Sequence, residues 1–393
     1  MNGKNVLASR MMNLGTESAF GVLARANELE AAGRSVIHCE IGQPDFKTPA
    51  HIIEAAYQAM KDGYTGYGPT PGYPQLRERI AAYYREQKGV PAQMDQVVVV
   101  PGGKPVMFFT MLMLIEPGDE VIVPDPGFPI YQSCVRFAGG KVVPLPLTAE
   151  NRFCFTPEGL RAAITPKTKL VILNSPSNPT GGVCTAEDLK GLAEVLAERP
   201  DIYILADEIY DRLVYGMDIA PSIAALPGFQ DRTIILNGFS KSYSMTGWRL
   251  GYGIMRRDLA EQMELLMVNS NSCAASFTQM AALKALDGPQ DSVLEMKAAF
   301  QERRDWLVEA LNQIPGIRCE KPQGAFYAFP DISSFGLSSH DFCVRLLDEA
   351  GVATTWGTSF GAAGEGFMRL SYATSLDNLK EAVRRLETFT AAL

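Results

Sequence analysis

Between residues 95 and 255 short apolar runs alternate with segments of helical periodicity, and this alternation restricts the fold more than any other feature of the chain. The runs fall at 96–100, 120–123, 141–147, 169–173, 202–205, 233–236 and 250–255. Several are almost continuous in Val, Ile and Leu, the pattern of strands covered on both faces. Parallel strands need long crossovers, and 185–198 reads as one: a helix with Thr185 as N-cap and Glu187 and Asp188 in its first turn. The spacing predicts an α/β fold with a largely parallel sheet. Past Met255 come long helical patterns at 259–287 and 292–313, a strand-like 324–329, a helix 339–350, a strand-like 368–372 and a closing helix 376–391. These predict a smaller α+β domain, against which the amphipathic helix 19–33 packs.

A chain of 393 residues suits two domains and buries its core without disulfides or metals. Against 44 acidic residues stand 36 Lys and Arg, a net charge of −8, which argues against nucleic acid or an anionic membrane as partner. No signal peptide is visible at the N-terminus. The longest apolar stretch, 106–115, contains Thr110 and is far shorter than the ~20 residues that span a bilayer, so a buried helix is expected and no membrane segment. The cysteines at 39, 134, 154, 184, 273, 319 and 343 form no C-x-x-C pair and are odd in number, which suits reduced thiols in a cytoplasmic enzyme.

Residues 357–361 spell G-x-S-x-G, the nucleophile elbow of α/β-hydrolases, but that chemistry needs a histidine later in the chain. His38, His51 and His340 all precede Ser359, which is therefore expected to be an ordinary loop residue. No P-loop or HExxH motif is present, and three dispersed histidines predict no metal centre.

The informative stretch is 238–251, Gly-Phe-Ser-Lys-Ser-Tyr-Ser-Met-Thr-Gly-Trp-Arg-Leu-Gly. Lys241 follows the run 233–236 and so stands at the carboxyl end of a strand, where α/β sheets hold ligands. Small neighbours let the backbone approach a ligand, while Ser240 and Arg249 offer donors suited to a phosphate. By themselves these residues also fit a solvated surface lysine in a Ser-rich loop.

This segment resembles the pyridoxal-phosphate lysine signature of the class I/II aminotransferases, and further resemblances follow in order from about residue 19 to 385. They imply a fold type I α/β transferase. Its large domain, 48–287, would hold a mostly parallel seven-stranded sheet, and 1–47 with 288–393 would form the small α+β domain. Pyridoxal 5'-phosphate is the implied cofactor, with Lys241 as covalent anchor and acid–base group. Asp207 resembles the carboxylate that keeps the ring nitrogen protonated, so that the ring accepts carbanion electrons; read alone, it also fits a helix N-cap. Tyr210, and Asn178 in the loop 174–181, resemble donors to the cofactor's ring oxygen, although that loop is turn chemistry in any case. Gly103 and Lys104 resemble a helix start that cradles phosphate with backbone N–H groups, joined by Ser240 and Arg249. Phe128 resembles the aromatic that stacks on the ring.

For the substrate, Arg369 resembles the bidentate partner of the α-carboxylate, with Asn178 and the Gly42 backbone beside it. Tyr67 resembles the tyrosine that reaches the neighbouring subunit's phosphate, which implies a homodimer; a plain turn aromatic is the alternative. The implied activity is ping-pong amino transfer from an L-amino acid to a 2-oxo acid. Aspartate and 2-oxoglutarate lead, because Lys104 resembles the residue that helps bind a distal carboxylate in bacterial aspartate aminotransferases. Phe20, where a small hydroxyl residue is expected, and Trp356, in place of a proline, depart from that pattern and add apolar bulk. Aromatic, branched-chain or alanine-type substrates and a C–S β-lyase activity stay open, as does, remotely, a ligand-sensing regulator.

Overall fold

The valines at 97–100 are at most 1 % exposed, as they must be in a strand whose sheet is covered on both faces. A computed structural model of the chain describes residues 6–393. The chain runs through α1 (Ser18–Ala31), β1 (Ile37–His38), α2 (Ala50–Lys61) and α3 (Pro74–Lys88) before it enters the main sheet. There strands and helices alternate: β2 (Val97–Val100), α4 (Lys104–Leu114), β3 (Glu120–Asp125), α5 (Ile130–Phe137), β4 (Lys141–Pro146), α6 (Pro157–Ala163), β5 (Thr168–Asn174), α7 (Ala186–Ala197) and β6 (Tyr203–Asp207). Then come β7 (Thr233–Gly238) and β8 (Gly251–Ile254).

The seven strands lie in the order β2-β8-β7-β6-β5-β3-β4. Only β8 is antiparallel to its neighbours, pairing with β2 and β7; the other pairings are parallel. This exception positions the site. Because β8 runs backwards, the residues before it, including Arg249, stand at the edge where the parallel strands end. The register places Gly251 opposite both Val100 and Gly238, and Asn174 opposite Asp207. Thr185 caps α7 as expected, with its side chain accepting from the Asp188 N–H in a capping box.

The rest of the chain comprises α8 (Arg257–Val268), α9 (Ser276–Asp287), α10 (Asp291–Gln313), β9 (Tyr327–Ala328), α11 (Ser339–Arg345), β10 (Val352–Ala353), β11 (Thr355–Trp356), β12 (Met368–Ser371) and α12 (Leu376–Thr390). Strands β11, β12 and β9 form an antiparallel sheet, and β1 pairs with β10. Phe300, Phe326, Phe342, Tyr372 and Leu379 share one buried cluster with Cys39 from the N-terminal segment.

Two expected elements differ. The pattern at 259–287 is two helices, because Asn269 Nδ2 and Ser270 Oγ donate back to the carbonyls of Leu265 and Leu266 (2.8 and 2.6 Å) and Ser272 takes φ 61°; such local side-chain bonds compete with helix continuation. The strand at 324–329 shrinks to β9. Lys88, the last residue of α3, is buried with its ammonium 2.5 Å from Glu208 and 3.6 Å from Asp211, just past the end of β6. Among the described residues no helix is long and apolar enough to cross a membrane, and no group of three or more metal-ligating side chains converges.

Candidate active site

The strand ends frame a cavity of ≈ 350 Å³. Its lining includes Gly42, Gly103, Lys104, Phe128, Asn178, Asp207, Tyr210, Ser240, Lys241, Arg249 and Arg369. Residues scattered over more than three hundred positions thus meet because each follows or ends a strand on one edge of the sheet, or comes from β12 and the N-terminal loop folded over it. Tyr67 is not in the lining: it is 92 % exposed in the loop between α2 and α3.

One end of the cavity is an anion cradle. Gly102 has φ +82°, a backbone that favours glycine, and a Cβ built on it would meet Arg249 Nη2 and push the guanidinium aside. Gly103 follows as the N-cap of α4, and no side chain caps that helix start, the kind of terminus that suits an anion. Arg249 itself holds a left-handed backbone, φ 52°, and donates from Nη1 to the Thr246 carbonyl at 2.7 Å. That conformation is costly for a non-glycine residue and is kept where the surroundings demand it.

The other end is built around Asp207. Its Oδ2 accepts from the Tyr131 hydroxyl at 2.6 Å and its Oδ1 from the Ile209 N–H at 3.2 Å. Burial nevertheless pushes the carboxyl up to about 6, against the pull of the Tyr131 bond. Lys241 Nζ donates to the Gly42 carbonyl at 2.5 Å. Burial, and then the charge of Arg369, hold its ammonium down to about 8. Tyr210 and Tyr327 share a 2.8 Å hydroxyl contact, and burial raises Tyr210 well above the ordinary phenol range.

Arg369 is 4 % exposed. It donates to Asn178 Oδ1 at 3.0 Å, to the Glu40 carbonyl and to Thr355 Oγ1 at 3.4 Å. No ion pair joins it to a carboxylate among the described residues, and its Nε has no hydrogen-bond partner. Burial lowers its affinity for the proton. A buried cation in this state is expensive unless an anion joins it.

Two expectations about the side-chain end change. Lys104 does not project alone: its ammonium is paired with Glu17 and lies 5.6 Å from the centre of the Phe128 ring. Trp356 lies outside the lining. Thr355 turns its hydroxyl to Arg369, so the next residue on β11 faces the other way, and Trp356 packs on the cluster of Val22, Ala26 and Leu29 and against the His340 ring. Phe20 does stand in the lining, 60 % exposed. Ser359 lies in a short 3-10 turn outside the cavity. Sequence reasoning missed Tyr131, Glu17 and Tyr327. Tyr131 follows Phe128 by one helical turn, with rings 5.6 Å apart, a spacing that could have pointed to it; nothing in the sequence marks Glu17.

The family model for aminotransferase class I and II matches residues 34–386. The chain is 43 % identical to an aspartate aminotransferase of Geobacillus stearothermophilus, over 98 % of this chain and 99 % of that one. A crystal structure of the aspartate aminotransferase from Rhizobium meliloti superposes with a TM-score of 0.94 at 38 % identity, covering 99 % of both chains. An aromatic aminotransferase from Pyrococcus horikoshii gives 0.89 at 39 % identity, over 94 % of this chain and 99 % of the other. The fold is the type I arrangement, and the chain belongs to the class I and II aminotransferases.

Proposed function

We propose that the cavity binds pyridoxal 5'-phosphate and that the enzyme moves the amino group of an L-amino acid, aspartate first among them, to a 2-oxo acid such as 2-oxoglutarate. The observation that carries this reading is Arg369, a buried guanidinium without a carboxylate partner among the described residues, suited to the α-carboxylate common to both substrates. The cofactor fits the donor set. Its phosphate suits the cradle of Gly102, Gly103, Ser240 and Arg249, where any Cβ at 102 would intrude, and its ring nitrogen suits the buried carboxylate of Asp207.

When bound, the cofactor supplies an electron sink for the bond pair released at the substrate's α carbon. Lys241 does the rest of the proton work. Held down to about 8, it is partly a free amine near neutral pH and can anchor the cofactor as a nucleophile. The same nitrogen, once free, would take up the proton from the substrate's α carbon and give it back, acting as base and then as acid. Asp207 would keep the ring nitrogen protonated, Tyr210 and Asn178 would donate to the ring oxygen, and Phe128 would lend an aromatic face to the ring. Arg369, steadied by Asn178 Oδ1, fixes the substrate's carboxylate end beside the Gly42 backbone. The reverse sequence on a second oxo acid completes a ping-pong cycle.

The same reading divides the chain into a large domain, 48–287, and a small one of 1–47 and 288–393. It also takes the active unit as a homodimer in which Tyr67 reaches the partner's phosphate, supported by that side chain's near-complete exposure. Seven cysteines, none disulfide-bonded, support a cytoplasmic setting. A second reading, aromatic or aliphatic donors, is favoured by the occupied Lys104 and by Phe20 at the cavity's rim.

Absorbance of the pure protein before and after L-aspartate tests the reading. A band in the near-UV or visible that moves to shorter wavelength is expected. A band that ignores aspartate but answers phenylalanine or leucine selects the second reading. No band after addition of pyridoxal phosphate overturns both.

A further inference from the structure

The cavity lining carries four cationic side chains, Lys104, Lys241, Arg249 and Arg369. On the proposed function, on which this inference rests, three have tasks: Lys241 anchors, Arg249 meets the phosphate, and Arg369 takes the α-carboxylate. Only Lys104 is left for a distal carboxylate, and Glu17 already occupies it. Glu17 is the residue before α1, the position from which a side chain ordinarily caps its own helix, yet it makes no capping bond. Its carboxylate instead reaches a residue 87 positions away. The Glu17 side chain is 20 % exposed and that of Lys104 52 %. Ala19 and Phe20, from the same turn, also line the cavity, so the start of α1 forms its rim.

We propose that Glu17 is a specificity-determining residue: its carboxylate stands in for the distal carboxylate of a dicarboxylic substrate at Lys104. A substrate with an uncharged side chain then enters beside a neutral pair. A dicarboxylate must displace Glu17, because two carboxylates drawn to one ammonium repel each other. The first turn of α1, which the Glu17 side chain does not cap, offers the displaced carboxylate N–H groups at the positive end of its own helix.

The test is equilibrium binding to the holoenzyme of two unreactive acids, succinate and butyrate, by calorimetry. Glu17→Gln is expected to bind succinate roughly fivefold more tightly, the scale of a half-exposed ion pair, with butyrate affinity unchanged. The same variant is expected to lower KM for aspartate more than it alters kcat, while kinetics with phenylalanine stay level. Adding Lys104→Met to Glu17→Gln is expected to remove the gain for succinate. If amino acids shift the absorbance band as expected but Glu17→Gln binds succinate no more tightly than the parent, the proposal alone falls. If succinate binds neither form and no amino acid shifts the band, the transaminase reading falls and takes the proposal with it.

Discussion

Lys241 and Asp207 are both held away from their ordinary proton affinities by burial, in opposite senses and to the advantage of the same reaction. Lys241 sits at about 8 in place of 10.5. Between those values the unfolded chain binds more protons than the folded one, so the cofactor-free protein gains stability as pH rises through that window. Lys241→Met is expected to flatten this rise in urea titrations at several pH values, and Lys241→Ala to lower turnover by several orders of magnitude; unchanged turnover would sink the mechanism. For Asp207 the lever is Tyr131, whose hydroxyl at 2.6 Å favours the ionised carboxyl. Tyr131→Phe should raise the Asp207 pKa and move the acid limb of the kcat/KM profile to higher pH, by about one unit on the scale of a hydrogen bond to a charge. An unmoved limb would remove Tyr131 from the account.

At the scale of elements, the loop from β2 into α4 and the buried end of α3 are the points where a single change should tell. Gly102→Ala puts a methyl 2.3 Å from Arg249 Nη2 at a φ of +82°. Cofactor affinity is expected to fall about tenfold or more, the scale of a lost charge-assisted hydrogen bond, as measured by dialysis and absorbance. Lys88→Met leaves Glu208 and Asp211 buried without their cation. A loss of about 3–5 kcal/mol is expected from denaturant unfolding, and a variant as stable as the parent would show that the pair is not held as described. The broken pattern at 259–287 belongs to this scale as well. Its apolar periodicity resumes beyond the polar run 269–272, where the Asn269 and Ser270 side chains bond back to the preceding turn, Ser272 takes φ 61° and the helix stops.

At the scale of the whole molecule, the exposed Tyr67 and the cavity belong to one prediction. Light scattering is expected to give about twice the 42.9 kDa chain mass, and Tyr67→Phe to weaken cofactor retention several-fold without changing that mass. A monomer that holds its cofactor fully would rule out the shared site. Much of this architecture was legible beforehand. Each of the seven runs became a sheet strand: strands such as β2 have to be apolar throughout because both faces are covered, while β4 at the sheet's edge is largely exposed, and Thr185 capped its helix because the capping bond is local. Gly103, Asn178, Asp207, Lys241, Arg249 and Arg369 could be placed from their order along the chain, since each follows or ends a strand or sits within its motif.

What the sequence determined alone is therefore whatever depends on neighbours along the chain: strand and helix periodicity, caps, and the motifs at strand ends. The pairings between distant segments belong to the tertiary structure. Glu17 reaching Lys104, Tyr131 reaching Asp207 and Arg369 held by Asn178 each join residues between 76 and 191 positions apart. Trp356 shows the same division. Its identity suggested bulk in the cavity, but β11 turns Thr355 toward Arg369 and thereby sends its neighbour to the opposite face. A side chain's type is written in the sequence, whereas the direction it points is fixed only once the sheet has formed around it.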